Sequence, residues 1–175
     1  MLKLYLYKRL LIPFITACTL LFAVGCGSSI SSNDGQEMLS QKLTISVVGE
    51  SPSVVEENVE FKETTLNGVN PKDEVDALFI MSEHLKEASD GRYARLYNEL
   101  SYPVFWIDSK KPYYAFTEES LTYEDAPGEF ENYAYGYQYV GPEEVKVWAT
   151  GLAENEDAQA AYSRIFKYII SEKSK

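Results

Sequence analysis

Three polar side chains that could assemble into a hydrolytic centre each follow a short apolar run. Ser51 comes after LTISVVG (43–49), His84, the chain's single histidine, after ALFIM (77–81), and Asp108 after PVFWI (103–107). A serine hydroxyl becomes a nucleophile only when a base takes its proton and a third group orients that base. These three residues are the nucleophile, base and orienter that this composition has to offer. The same segments carry Gly49, Glu50, Ser82 and Glu83, so the seven residues also form a candidate set for holding a ligand without chemistry. Gly49 stands alone rather than in a Gly-rich phosphate loop, and one histidine among scattered acids lacks the spacing of a zinc site or an EF-hand loop. No metal and no cofactor is therefore expected.

The stretch VVGES resembles the first block of the GDSL-type hydrolases, which implies an envelope serine hydrolase using Ser51. That family pairs Asp and His in a D-x-x-H near the C-terminus, and no such pair exists here. Ser53 stands where a G-x-S-x-G pattern requires its last glycine. His84 follows Ser82 and Glu83 where a helix would begin, a setting that leaves an imidazole in water. The sequence thus favours a non-catalytic protein, with the serine hydrolase as the alternative.

Aromatic residues offer a different kind of site. Residues 109–144 form a long insertion rich in tyrosine, and in its YAYGYQY segment Tyr133, Tyr135, Tyr137 and Tyr139 recur at every second position. In an extended strand such residues point to one side, giving a row of faces that could grip a protein or stack on a small ligand. The same row could instead pack over the edge of a sheet.

Cysteine usage fixes an address. Residues 1–9 carry Lys3, Lys8 and Arg9 and no acid, and residues 10–25 carry no charge, the layout of a secretory signal. Spanning a bilayer takes roughly 20 apolar residues; this run has 16 and contains Pro13. Its end, Ala23-Val24-Gly25-Cys26, resembles the lipobox of bacterial lipoproteins, which implies cleavage before Cys26 and a lipid on its sulfur. Ile15-Thr16-Ala17-Cys18 fits the same pattern, but would leave a mature chain beginning with apolar CTLLFAVG. Cys26 is preferred because a polar tether, GSSISSNDGQEMLS, follows it directly. The expected organisation is a signal peptide over 1–25, the lipidated cysteine and linker over 26–40, and one acidic domain over 41–175, on the extracytoplasmic face of the cell membrane.

Charge then excludes partners. The chain has 16 Lys and Arg against 27 Asp and Glu; without the three basic residues of the signal, 13 remain against 27, a net charge of −14. Nucleic acid is not an expected partner, because binding it depends on neutralising phosphates with basic side chains. The membrane is contacted through the lipid, and the remaining partner is an unidentified protein or small molecule. With Cys18 removed and Cys26 lipidated, no thiol is left for catalysis or redox chemistry.

The elements that must position these residues read as an α/β domain. LTISVVG, ALFIM, PVFWI and VKVWAT (145–150) have strand length and β-branched or aromatic content, and VEFKETTL (59–66) alternates like an edge strand. Tyr93, Leu96, Tyr97 and Leu100 mark a helix with Asp90 as its cap, Ser51–Asn58 predicts a short helix, and Ala158, Ala161, Tyr162, Ile165, Phe166 and Ile169 form the stripe of a C-terminal helix. Together they predict a mainly parallel sheet of about five strands flanked by helices, Rossmann-like or flavodoxin-like in layering. In such sheets ligands bind beyond the carboxyl ends of the strands, at a switch in strand order, which is where the seven candidates fall. The segment VDALFIMSEHLKEASDGRYARLYNELSYPVFWID is also similar in layout to one lobe of the siderophore and cobalamin substrate-binding lipoproteins. That resemblance implies a ligand-binding lipoprotein.

Overall fold

The computed structural model describes residues 39–142 and 144–174. The signal-like segment 1–25, both cysteines and the tether as far as residue 38 lie outside the described residues. Within them no helix is long and apolar enough to cross a membrane.

Among the described residues six strands form one sheet: β1 (Leu43–Val48), β2 (Val59–Thr64), β3 (Ala77–Ile80), β4 (Val104–Ile107), β5 (Asn132–Gly141) and β6 (Glu144–Gly151), in the order β2-β1-β3-β4-β5-β6. The helices are α1 (Leu85–Ala88), α2 (Ala94–Glu99), α3 (Tyr114–Thr117) and α4 (Ala158–Lys173). β1 pairs in parallel with β2 and β3, and β3 with β4. β4 pairs antiparallel with β5, and β5 with β6.

The expected mainly parallel, five-stranded sheet is therefore wrong. The sheet is mixed, and its C-terminal part, β4 to β6, is antiparallel. The physical reason is the tyrosine-rich segment, expected as part of an insertion but folded as β5. A tight turn at Pro142 leads from it into β6, and a connection that short can only join antiparallel neighbours. The short helix expected over 51–58 is also absent; that crossover runs without helix. Its Glu56 is 4 % exposed and accepts hydrogen bonds from Ser163 Oγ and from Gln159 Nε2 (2.8 Å), both on α4. A buried carboxylate needs such donors, and supplying them holds the crossover extended along α4.

Apolar runs on β1, β3 and β4 are buried because both faces of the sheet are covered. On one face Ile45, Val47, Phe79 and Phe105 pack against Tyr162, Ile165, Phe166 and Ile169, the apolar stripe of α4. Asp157 caps that helix by accepting from the Ala160 amide (3.3 Å). On the other face Val48, Leu78, Ile80, Val104 and Trp106 pack against Leu85, Ala88, Tyr97 and Phe116 of α1 to α3. Trp106 stacks on Phe116 with ring centroids 4.4 Å apart, and Tyr97 stands edge-on to it at 5.3 Å. Asp90 caps the turn before α2, accepting from the Arg92 amide at 3.1 Å.

Candidate functional site

The strand order supplies the place for a site. From β1 the chain moves outward to β2 and then passes back across β1 to β3, so the order switches between β1 and β3. Their carboxyl ends lie together, with the Met81 amide bonded to the Val48 carbonyl at 3.0 Å. A crevice at such a point is where open α/β sheets accept ligands.

Four of the seven candidates meet there. Gly49 turns the chain after β1 with φ +111°, a conformation that side chains oppose. The Glu50 amide donates to Glu83 Oε1 at 3.2 Å, and Ser82 Oγ donates to Glu83 Oε2 at 3.4 Å. The Glu83 carboxyl is held below the ordinary carboxylate range, first by its own backbone N–H and then by the Glu50 amide and nearby His84.

The other three candidates have different partners. Ser51 Oγ donates to Glu63 Oε1 at 3.2 Å. His84 Nδ1 stands 3.8 Å from Glu87 Oε2. Asp108 follows β4 with φ +53° and pairs with Lys110 Nζ at 2.8 Å, while its amide donates to the Tyr133 carbonyl. The nucleophile, base and orienter imagined from sequence are thus each engaged by another residue and do not form a chain of hydrogen bonds to one another.

A cleft of about 490 Å³ opens beside this junction. Val48 and Leu66 form its apolar floor, Gly49 and His84 stand at its edge, and Thr64, Thr65, Asn67 and Glu87 add polar groups. Sequence reasoning found Gly49 and His84 but missed the wall contributed by Thr64 to Asn67. The signal was the TTLNG stretch after β2, which folds as a 3-10 turn over Leu66–Gly68. Tyr93 Oη closes the back by donating to Asn67 Oδ1 at 3.0 Å. Burial pushes the Tyr93 hydroxyl pKa up, so it stays a neutral donor. A smaller recess of about 170 Å³ at the other ends of β3 and β4 is lined by Asp76, Tyr102, Gln138 and Lys173, and there Lys173 is committed to Asp76 at 2.7 Å. Among the described residues no group of three or more His, Cys, Asp or Glu is arranged to hold a metal ion.

The tyrosine row is split. β5 advances from Asn132 to Ala134 while β6 advances only from Gly151 to Thr150, so Tyr133 is the extra residue of a β-bulge. Tyr133 consequently joins Ala134 on the α4 face, where its ring meets Tyr162 edge-on at 5.8 Å. Tyr135, Tyr137 and Tyr139 point to the opposite face. Tyr135 and Tyr137 are only 6 % and 4 % exposed. Tyr137 stacks on Tyr113 with centroids 5.5 Å apart and donates its hydroxyl to Asn98 Oδ1 at 2.6 Å; Tyr135 Oη accepts from Asn132 Nδ2, also at 2.6 Å. The expectation of a single aromatic surface is corrected: the bulge sends one tyrosine to the far side, and α2 and α3 with their loops bury two of the others.

Comparison with known proteins adds no relative: no family model matches the chain, and no curated protein and no solved structure matches it.

Proposed function

We propose that this chain is a non-catalytic binding protein, held at the extracytoplasmic face of the cell membrane by a lipid on Cys26, whose domain takes a small ligand or a partner segment into the cleft beside β1 and β3. The observation that carries the reading is the cleft itself, with its apolar floor, convergent polar wall and position at the switch in strand order. Binding without catalysis is supported by the contacts of Ser51, whose hydroxyl donates to a carboxylate of β2 while the single imidazole stands beside Glu87. Anchoring is supported by the charged and apolar segments before Cys26 and the polar tether after it.

The test is a screen of small polar compounds by ligand-observed NMR on the full chain in detergent, repeated on Thr65→Trp. Thr65 is exposed at the cleft wall, so an indole there fills the space without entering the core. Compounds that bind the parent and are lost in the variant support the cleft. Compounds that bind both equally, or none that bind, refute it.

A further inference from the structure

We propose that the outer edge of β6 is an interface with a second copy of this chain: the two β6 strands pair antiparallel about a two-fold axis through Val147, joining both sheets into one. β6 ends the sheet, so one side of its backbone has no neighbouring strand among the described residues. An open edge of this length is a template for strand pairing. The hairpin also outruns its support. β4 pairs only with Ala134 to Tyr137, whereas β5 continues to Gly141 and β6 begins at Glu144. Beyond β4 the two strands continue as a ribbon, braced by Gln138 on the Ser101 carbonyl and by Lys146 on Glu172, with its outer edge open to a third strand.

The side chains on this edge are those of an interface. Val145 and Val147 are 45 % and 42 % exposed, and Ala149 is exposed beside them on the same face. On the other face lie Lys146 and Trp148, the latter against Phe105.

Self-pairing accounts for this pattern better than an unrelated strand does, because β6 is complementary to itself in one register. About Val147, each Val145 meets Ala149 of the second copy, the two Val147 side chains meet on the axis, and each Lys146 lies opposite Trp148 of the second copy. The apolar rows cover one another, while Lys146 keeps its own ion pair with Glu172 on α4 at 2.5 Å. Moving the axis to Val145 brings Pro142, which has no N–H to donate, into the ladder. Moving it to Ala149 leaves Val145 uncovered. A chain with net charge −11 repels its own copy, so salt should strengthen this association by screening.

The experiment is sedimentation velocity of the full chain in detergent from about 1 to 100 µM, at low and high salt, with cysteine cross-linking in a Cys18→Ser, Cys26→Ser full chain. The expected result is a concentration-dependent dimer favoured by salt and abolished by Val147→Lys, whose circular dichroism stays that of the parent and whose melting matches that of the parent diluted to monomer. Val147→Cys should form a disulfide dimer by itself. Val145→Cys should cross-link only when mixed with Ala149→Cys. A monomer throughout the range, a dimer indifferent to Val147→Lys, or a Val145→Cys chain that cross-links alone overturns the proposal.

Discussion

The carboxylate of Glu83 lies directly over Gly49: a Cβ built on that glycine would stand 2.4 Å from Glu83 Oε1 and 2.8 Å from Met81 Cβ. The bare backbone lets the loop after β3 close on the loop after β1, and the Glu50 amide secures it. The junction of the two strands that define the cleft thus depends on one missing side chain and one carboxylate.

Gly49→Ala should therefore destabilise the domain by about 2 kcal/mol, through a left-handed φ and a collision that Met81 cannot relieve by rotating its terminus. Urea unfolding followed by circular dichroism measures this. A change within experimental error would mean the junction is looser than its geometry indicates.

Glu83 should titrate below the ordinary carboxylate value. Its folded pKa is depressed, so its stabilising contribution is full above the unfolded value near 4.5 and is lost as pH falls through the folded one. The Glu50 amide, which donates to this carboxylate, reports the event by NMR. The expected midpoint lies under 4.5, and Glu83→Gln should abolish the shift. A midpoint at or above 4.5 would show that the backbone donors do not hold the group.

Tyr137→Phe keeps the ring stack on Tyr113 and removes only the hydroxyl bonded to Asn98, leaving that amide oxygen short of a donor. A loss of about 1 kcal/mol is expected. Tyr137→Ala also opens a cavity beside Trp106, and about 3 to 4 kcal/mol should go. Both changes should lower the melting temperature in proportion. A Tyr137→Ala chain that melts like the parent would return the residue to the surface.

Ser51→Ala should leave the protein's reactivity toward a fluorophosphonate probe unchanged, because the parent serine, donating to Glu63 rather than to a base, is expected to take up none. Labelling of the parent that disappears in Ser51→Ala would place the chain among serine hydrolases.

Short apolar runs mark β1, β3 and β4 in the sequence because those strands are buried on both faces, and burial leaves few choices of side chain. Strand direction was not legible in the same way, since a continuous apolar run reports burial on both faces, and β4 has that burial while pairing antiparallel with β5. β5 hid itself because its tyrosines have hydroxyls that satisfy a surface as well as a core. One signal was present: Gly136, in the middle of YAYGYQY, where a Cβ would strike the Phe105 ring at 2.4 Å. A glycine inside a strand marks such a close approach, and the structure shows the approaching strand to be β4. The bulge at Tyr133 had no comparable mark. At the cleft, Gly49 and His84 followed from the ends of β1 and β3, but the wall from Thr64 to Asn67 depends on how the chain turns after β2.

Lipid attachment of the domain through Cys26 is tested by growing cells with an alkyne-tagged fatty acid and following the label on three forms of the full chain. The parent and Cys18→Ala should carry label and sediment with membranes, whereas Cys26→Ala should carry none. Label kept by Cys26→Ala and lost from Cys18→Ala, or absent from all three, would contradict it.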